Sequence, residues 1–159
     1  MYKKNLIKKI KLKKAKIGII GLGYVGLPLA CVFAKKKFDV TGFDIDKNKI
    51  AYLKKSRSYI KHIKNAELLK IKNYFKVQNS FLKIKDLDII ILCLPTPLSK
   101  SKKPDLSFIQ STLNSINYMF KKGQLVILES STYPGSTKYL FSKILKKKKF
   151  IIGDEFFIG

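Results

Sequence analysis

A glycine-rich turn near the start of the chain constrains the fold more than any other part of the sequence. The mostly apolar residues 15–20 predict a buried strand, and residues 24–36 predict the helix that follows it. The connection reads Gly-Leu-Gly-Tyr-Val-Gly. Gly21 permits a tight turn, Gly23 lets the backbone approach a ligand, and Gly26 lets the helix pack closely on the sheet. The pattern predicts a strand–turn–helix unit of an α/β fold.

A carboxylate follows the next predicted strand. Residues 38–43 predict this strand, and Asp44 comes directly after it. An acid about 20 residues beyond the glycines is typical of the group that binds the adenosine ribose of a dinucleotide. The phosphates would lie at the helix N-terminus, where N–H groups and the helix dipole favour negative charge. We therefore predict dinucleotide binding; a glycine turn with only a structural role is the alternative.

The apolar content is that of a folded domain, since hydrophobic residues make up 46% of the 159 residues. Apolar runs such as residues 87–94 have the length of a strand and are far shorter than the ~20 residues of a membrane helix. The basic N-terminus lacks the apolar segment of a signal peptide. Cys31 and Cys93 lie in apolar stretches without metal-like spacing, which indicates buried thiols in a reducing compartment. We expect a cytoplasmic protein with no membrane contact and no bound metal.

The charge is strongly positive: 34 basic residues stand against 10 acidic ones, for a net charge of +24. Such a balance can indicate a nucleic-acid partner. However, all the basic residues except Arg57 are lysines, spread along the chain. Specific readers of nucleic acid use arginine forks and stacked aromatic side chains. We therefore interpret the charge as a compositional bias, with no specific nucleic-acid partner and with weak polyanion binding as a side effect.

Strands that alternate with helices continue through the chain and predict a Rossmann-type doubly wound parallel sheet. Residues 1–14 form a Lys-rich extension, either a loose helix or a solvated arm, and 15–159 form the α/β domain. Further helices are predicted at 47–55, 64–74 and 135–147, with another that is capped by Asp105 and closed by Gly123. Further strands are predicted at 75–77, 88–94 and 124–128, with the start of one at 150–152.

Three more segments occur in order: Leu92-Cys-Leu-Pro-Thr-Pro-Leu98, Lys103-Pro-Asp-Leu-Ser107 and Glu129-Ser-Ser-Thr-Tyr-Pro-Gly-Ser-Thr137. With the glycine turn and Gly42-Phe-Asp-Ile-Asp46, they resemble the N-terminal NAD-binding domain of the UDP-glucose/GDP-mannose dehydrogenase family. The resemblance covers about residues 15–159. The Thr-Tyr-Pro-Gly version, together with Ser58-Tyr-Ile60 and His62, is most similar to UDP-N-acetylglucosamine 6-dehydrogenases. Related UDP-N-acetylmannosamine enzymes share much of it.

The resemblance implies an NAD-dependent oxidation of a sugar C6 alcohol to a carboxylate, in two steps, for polysaccharide synthesis. It also implies the roles of individual residues. The pyrophosphate would lie on Gly21, Leu22, Gly23, Tyr24, Val25 and Gly26, and the adenosine half on Asp44 and Lys49. Leu94, Pro95, Thr96 and Pro97 would approach the nicotinamide ribose, and Ser131, Thr132 and Tyr133 the nicotinamide end. Thr132 matches the family threonine that helps to place the catalytic water.

Other polar residues have structural interpretations. We expect Asp105 to cap a helix, Glu129 to have a structural role, and His62, the only histidine, to lie on the surface without a paired acid. The segment 95–97 would, without its neighbours, be read as a rigid loop.

The sequence departs from the family pattern after the predicted Rossmann domain. It does not contain the Ser-Pro-Glu-Arg segment, the central helix with its catalytic Lys and Asn, the cysteine nucleophile motif or the C-terminal sugar-nucleotide domain. Cys31 and Cys93 lie in the wrong elements to replace that nucleophile. We expect a chain truncated before these parts, half of a split enzyme, or an inert NAD-binding module. A UDP-sugar would bind only with the C-terminal half present, and full-length family members oligomerise.

Overall fold

The computed structural model describes residues 1–98 and 102–159. The strands are β1 Lys16–Ile20, β2 Asp39–Phe43, β3 Phe75–Gln78, β4 Ile89–Leu92, β5 Leu125–Leu128 and β6 Phe157–Ile158. The helices are α1 Tyr2–Lys11, α2 Gly26–Lys35, α3 Lys47–Lys54, α4 Asn65–Ile71, α5 Ser107–Ile116 and α6 Ser136–Lys148, with 3-10 turns at Phe81–Asp86 and Asn117–Met119. Among these described helices, none has the length and apolar character needed to cross a membrane.

The strands form one parallel sheet in the order β3-β2-β1-β4-β5-β6. The order runs outward in both directions from the neighbours β1 and β4. In such sheets the chain connections that follow these two strands lie on opposite faces of the sheet. A crevice therefore opens at the carboxyl ends of the two strands. The predicted Rossmann-type doubly wound fold is confirmed.

Each face of the sheet has its own apolar core, because alternate residues of a strand point to opposite faces. Ile17 and Ile19 of β1 pack with α2, α3 and α4, whereas Ile20 belongs to the core formed with α5 and α6. In β4, Ile90 and Leu92 belong to this second core. Both faces are covered, which explains why β4 is apolar throughout and β1 is apolar after Lys16.

The Lys-rich N-terminal segment forms a helix that docks on the domain. Leu6 of α1 is buried, and Lys9 Nζ lies 2.6 Å from Asp88 Oδ1. The other oxygen of Asp88 accepts the backbone N–H of Lys16 at 2.9 Å. Lys16 begins β1 and Asp88 immediately precedes β4, so α1 lies at the amino ends of the central strands. This is the edge of the sheet opposite the crevice.

The strand predicted at 150–152 is wrong. The carbonyl of Ile151 accepts the N–H groups of Glu155 at 2.8 Å and Phe156 at 3.2 Å, so the chain turns there. Gly153 has a φ of 87° within this turn. The last strand is β6, which pairs with β5 after the turn.

Two predicted helix starts are shifted, that of α2 by two residues and that of α5 by one. Helix α2 begins at Gly26 rather than Tyr24, since the residues before Gly26 belong to the turn. Helix α5 begins at Ser107, and Leu106 is its N-cap residue. Asp105 lies one position before that cap, and its Oδ1 accepts the Ser107 N–H at 2.8 Å. This bond lowers the pKa of Asp105.

Candidate dinucleotide-binding cleft

A cleft of about 460 Å³ opens at the carboxyl ends of β1, β2, β4 and β5. This volume falls within the range of about 300–1,000 Å³ that is usual for ligand sites. The glycine turn forms its floor, and the residues that follow β2, β4 and β5 form its walls together with α5.

The glycine turn owes its shape to two positions without side chains. Gly21 has a φ of 91°, and a Cβ there would lie 2.3 Å from the carbonyl oxygen of Cys93. A Cβ on Gly26 would lie 1.8 Å from the Gly21 carbonyl oxygen, so α2 begins in direct contact with the turn. A Cβ on Gly23 would meet no protein atom within 4 Å. The backbone is therefore packed tightly at Gly21 and Gly26 and faces open space at Gly23.

Asp44 is held in one orientation at the end of β2. Its Oδ2 accepts the backbone N–H of Leu22 at 2.9 Å, and its Oδ1 accepts that of Asp46 at 2.9 Å. The residue is 9% exposed, yet it lines the cleft. Each carboxylate oxygen has two lone pairs, so acceptor capacity remains for a ligand hydroxyl.

Lys49 and Tyr59 support this end of the cleft. Lys49 Nζ lies 3.4 Å from Asp44 Oδ2 and 5.9 Å from the centre of the Tyr59 ring. The Tyr59 hydroxyl donates to the carbonyl of Leu22. Burial raises the pKa of Tyr59, and the charge of Asp44 adds to this effect, so the hydroxyl keeps its proton. The loop between α3 and α4 is thereby tied to the glycine turn.

The loops after β4 and β5 are joined to each other. Ser130 Oγ donates to the Leu94 carbonyl at 2.7 Å, and Thr96 Oγ1 donates to the Ser131 carbonyl at 2.9 Å. Thr132 Oγ1 lies 2.6 Å from Ser136 Oγ in the first turn of α6. The hydroxyl of Thr132 thus has a partner at the start of the helix that follows its loop.

The structure brings many of the predicted residues together. The cleft is lined by Gly21, Gly23, Tyr24, Val25, Asp44, Lys49, Leu94 and Pro95. Leu22 is fully buried beneath the turn and contributes through its backbone. Six other predicted residues are not among those that line the cleft: Gly26, Thr96, Pro97, Ser131, Thr132 and Tyr133.

Sequence reasoning did not assign eight of the lining residues to the site. Ile20, Phe43, Cys93 and Glu129 are four of them. Ile45, Phe81, Phe108 and Thr112 are the other four. Ile45 follows Asp44 directly, and Phe108 and Thr112 lie one helical turn apart, beside the buried stripe of α5. The sequence positions of Ile45, Phe108 and Thr112 could therefore have indicated that they line the cleft. Phe81 gives no such indication, because it lies in a 3-10 turn without a periodic pattern.

Cys93 and Glu129 lie side by side in the cleft wall. Cys93 is half-buried rather than buried as predicted, because β4 ends at Leu92 and leaves it at the edge of the sheet. Burial raises the pKa of Cys93 to about 11, and the charge of Glu129 contributes. Cys31 is buried on α2, and burial likewise raises its pKa to about 11. Both are free thiols that are protonated at neutral pH.

His62 is exposed, as expected, in the loop before α4. In residues 1–98 and 102–159, no group of three or more His, Cys, Asp or Glu side chains is placed to hold a metal ion.

The parallel sheet, the glycine turn before α2 and the acid after β2 define an α/β dinucleotide-binding domain. The model of the UDP-glucose/GDP-mannose dehydrogenase family, NAD binding domain, matches residues 15–156, and the chain belongs to this family. The match to the NAD binding domain of this family confirms NAD as the predicted cofactor. The open space at Gly23 and the free acceptor capacity of Asp44 fit the phosphates and ribose of this cofactor.

Relatives with two different substrates resemble the chain. It is 36% identical over 152 residues to UDP-N-acetyl-D-glucosamine 6-dehydrogenase of Pseudomonas aeruginosa, covering 93% of the chain and 35% of the relative. It is 35% identical over 136 residues to UDP-N-acetyl-D-mannosamine dehydrogenase of Methanococcus maripaludis, covering 83% and 32%. The solved UDP-D-ManNAc dehydrogenase of Pyrococcus horikoshii superimposes with a TM-score of 0.82 at 30% identity, covering 90% and 35%. The chain spans about a third of the length of these relatives.

Proposed function

We propose that this chain is the cofactor-binding part of a nucleotide-sugar dehydrogenase that oxidises the C6 alcohol of a UDP-N-acetylhexosamine to a carboxylate. The observation that carries the proposal is the fixed carboxylate of Asp44 beside the glycine turn, in a chain of this family. Bound NAD would accept hydride from the sugar. The product would enter polysaccharide synthesis.

The residues of the cleft have separate tasks in this proposal. Asp44 accepts hydrogen bonds from the adenosine ribose, and Lys49 steadies the carboxylate. The N-terminus of α2 attracts the pyrophosphate through its N–H groups and dipole. Leu94 and Pro95 give an apolar wall on the nicotinamide side, while Thr96, Pro97, Ser131, Thr132 and Tyr133 belong to the adjoining loops.

We favour UDP-N-acetylglucosamine as the sugar nucleotide, on the Thr-Tyr-Pro-Gly segment and the relative from Pseudomonas aeruginosa. The sugar would be held by residues outside this sequence. The alternative is an NAD-binding module that is inert by itself or forms half of a split enzyme. We place the protein in the cytoplasm, because its two cysteines are free thiols. Assembly of the whole enzyme into oligomers is part of the same proposal.

Cofactor choice tests the proposal. NAD should bind more tightly than NADP, since a 2′-phosphate would face the carboxylate of Asp44. Asp44→Asn keeps an acceptor for the Leu22 N–H but loses the charge. The ratio of NAD affinity to NADP affinity should therefore fall by about tenfold. Asp44→Ala should lower this ratio as well. Titration calorimetry measures both affinities, and thermal melting checks the fold of each variant. Tighter binding of NADP than NAD by the unmodified chain would contradict the proposal.

A further inference from the structure

Glu129 extends the pairing of β5 by one residue at the wall of the cleft. Its N–H donates to the Leu92 carbonyl at 2.9 Å, which continues the β4–β5 ladder and places it beside Cys93. Both residues line the cleft. Burial raises the pKa of the Cys93 thiol, and the nearby charge of Glu129 adds to this effect. The carboxylate is therefore part of the site and not only of the loop.

This carboxylate is exposed, and it has no cationic partner among the described residues. Its side chain also makes no hydrogen bond within that part of the chain. The other charged groups of the described cleft wall, Asp44 and Lys49, contact each other at the β2 end. Among the charged residues of the described cleft wall, Glu129 is therefore the one whose side chain is left available to a ligand.

The order of groups along the sheet edge indicates which part of the ligand this is. Asp44 follows β2 and faces the adenosine ribose, and the glycine turn follows β1 and faces the pyrophosphate. The remaining half of the dinucleotide then extends over β4 and β5, where Glu129 lies. The nicotinamide ring carries a positive charge when oxidised and none when reduced.

We propose that Glu129 is a specificity-determining residue for the redox state of the cofactor: its carboxylate favours the cationic ring of NAD⁺ over the neutral ring of NADH. The inference rests on the proposed NAD-binding function. It gives the domain a means to bind the oxidised cofactor and release the reduced one.

The test compares three ligands on the full 159-residue chain: NAD⁺, NADH and ADP-ribose, which lacks nicotinamide. Glu129→Gln preserves the shape and removes the charge, so NAD⁺ affinity should fall about fivefold relative to NADH. ADP-ribose affinity should stay unchanged, and Glu129→Asp should keep much of the preference. Asp39→Asn is the matched control, because Asp39 is an exposed acid at the amino end of β2 and its loss changes the net charge equally.

The outcomes separate the inference from the proposed function. An equal ratio of NAD⁺ to NADH affinity in the unmodified chain and in Glu129→Gln would overturn the inference alone. Equal weakening of all three ligands by Glu129→Gln would also overturn it, since the role would then be structural. Failure of the unmodified chain to bind ADP-ribose or NAD⁺ would instead contradict the proposed function.

Discussion

Two glycines of the turn are required for different reasons, and single substitutions should separate them. Gly26→Ala would push a Cβ to within 1.8 Å of the Gly21 carbonyl oxygen, so we expect a loss of about 1–3 kcal/mol or more in the free energy of unfolding. Gly23→Ala meets no protein atom within 4 Å and should leave stability nearly unchanged. Its methyl group would occupy the space of the pyrophosphate and lower NAD affinity by roughly tenfold.

Urea unfolding and NAD titration on both variants check this prediction. A Gly23→Ala protein that binds NAD normally would show that the phosphates do not approach this position. A fully stable Gly26→Ala protein would show that the start of α2 can move away from the turn.

The sequence predicts the residues of the cleft where a fixed backbone geometry leaves a motif. The spacing of the glycines and the position of Asp44 belong to this class, because the turn and the strand end place them. Phe81 belongs to another class, since its part in the wall depends on how a 3-10 turn packs against β2. The charge of Glu129 was visible in the sequence, but whether a lysine of the described chain pairs with it depends on the three-dimensional arrangement.

At the scale of secondary structure, α1 is a docked helix whose effect should be confined to stability. Leu6→Ala removes a buried side chain and should destabilise the protein by about 2–4 kcal/mol. Ile7→Ala is the matched control, because Ile7 is the next residue of the same helix and is 42% exposed. NAD affinity should be unchanged in both, since α1 lies at the opposite edge of the sheet.

Chemical denaturation gives the two free energies, and calorimetry gives the NAD affinities. Equal losses for Leu6→Ala and Ile7→Ala would show that α1 is not held through Leu6. A change in NAD affinity would connect α1 to the cleft.

The elements differ in how well the sequence predicts them. Strand β4 is a continuous apolar run and β1 is apolar after Lys16, and both were predicted within two residues at each end. β6 has only two residues and depends on pairing with β5, so the apolar residues before Gly153 gave a false signal. For α1 the sequence left a loose helix and a solvated arm open, because docking rests on the contact between Lys9 and Asp88, far apart in the chain.

At the scale of the whole molecule, the positive charge predicts how the protein binds nucleic acids. If the lysines reflect composition, binding to DNA or RNA should be weak and independent of sequence. It should also fall steeply between about 50 and 200 mM salt, because binding is driven by release of counterions. Fluorescence anisotropy with several unrelated oligonucleotides measures this. A sequence-specific complex that survives physiological salt would mean that the basic surface has a selected partner.

The proposed oxidation of a sugar alcohol predicts that these 159 residues do not turn over a nucleotide sugar by themselves. Oxidation of an alcohol to a carboxylate requires a base, an activated nucleophile and a sugar-nucleotide pocket. The thiols of Cys31 and Cys93 are not activated nucleophiles, since burial raises the pKa of each to about 11. Loss of an activated nucleophile lowers rates by many orders of magnitude. We therefore expect no detectable NADH from UDP-N-acetylglucosamine and saturating NAD.

Absorbance of NADH is the measurement, and activity should return when the C-terminal part of a related dehydrogenase is supplied in cis or in trans. Gly23→Val is the control for contaminating enzymes, because its side chain would fill the phosphate space of this chain only. NADH production by the unmodified 159 residues that vanishes in Gly23→Val would show that residues of this domain carry the chemistry. The half-buried Cys93, beside Glu129 in the cleft, would then be the first nucleophile to replace.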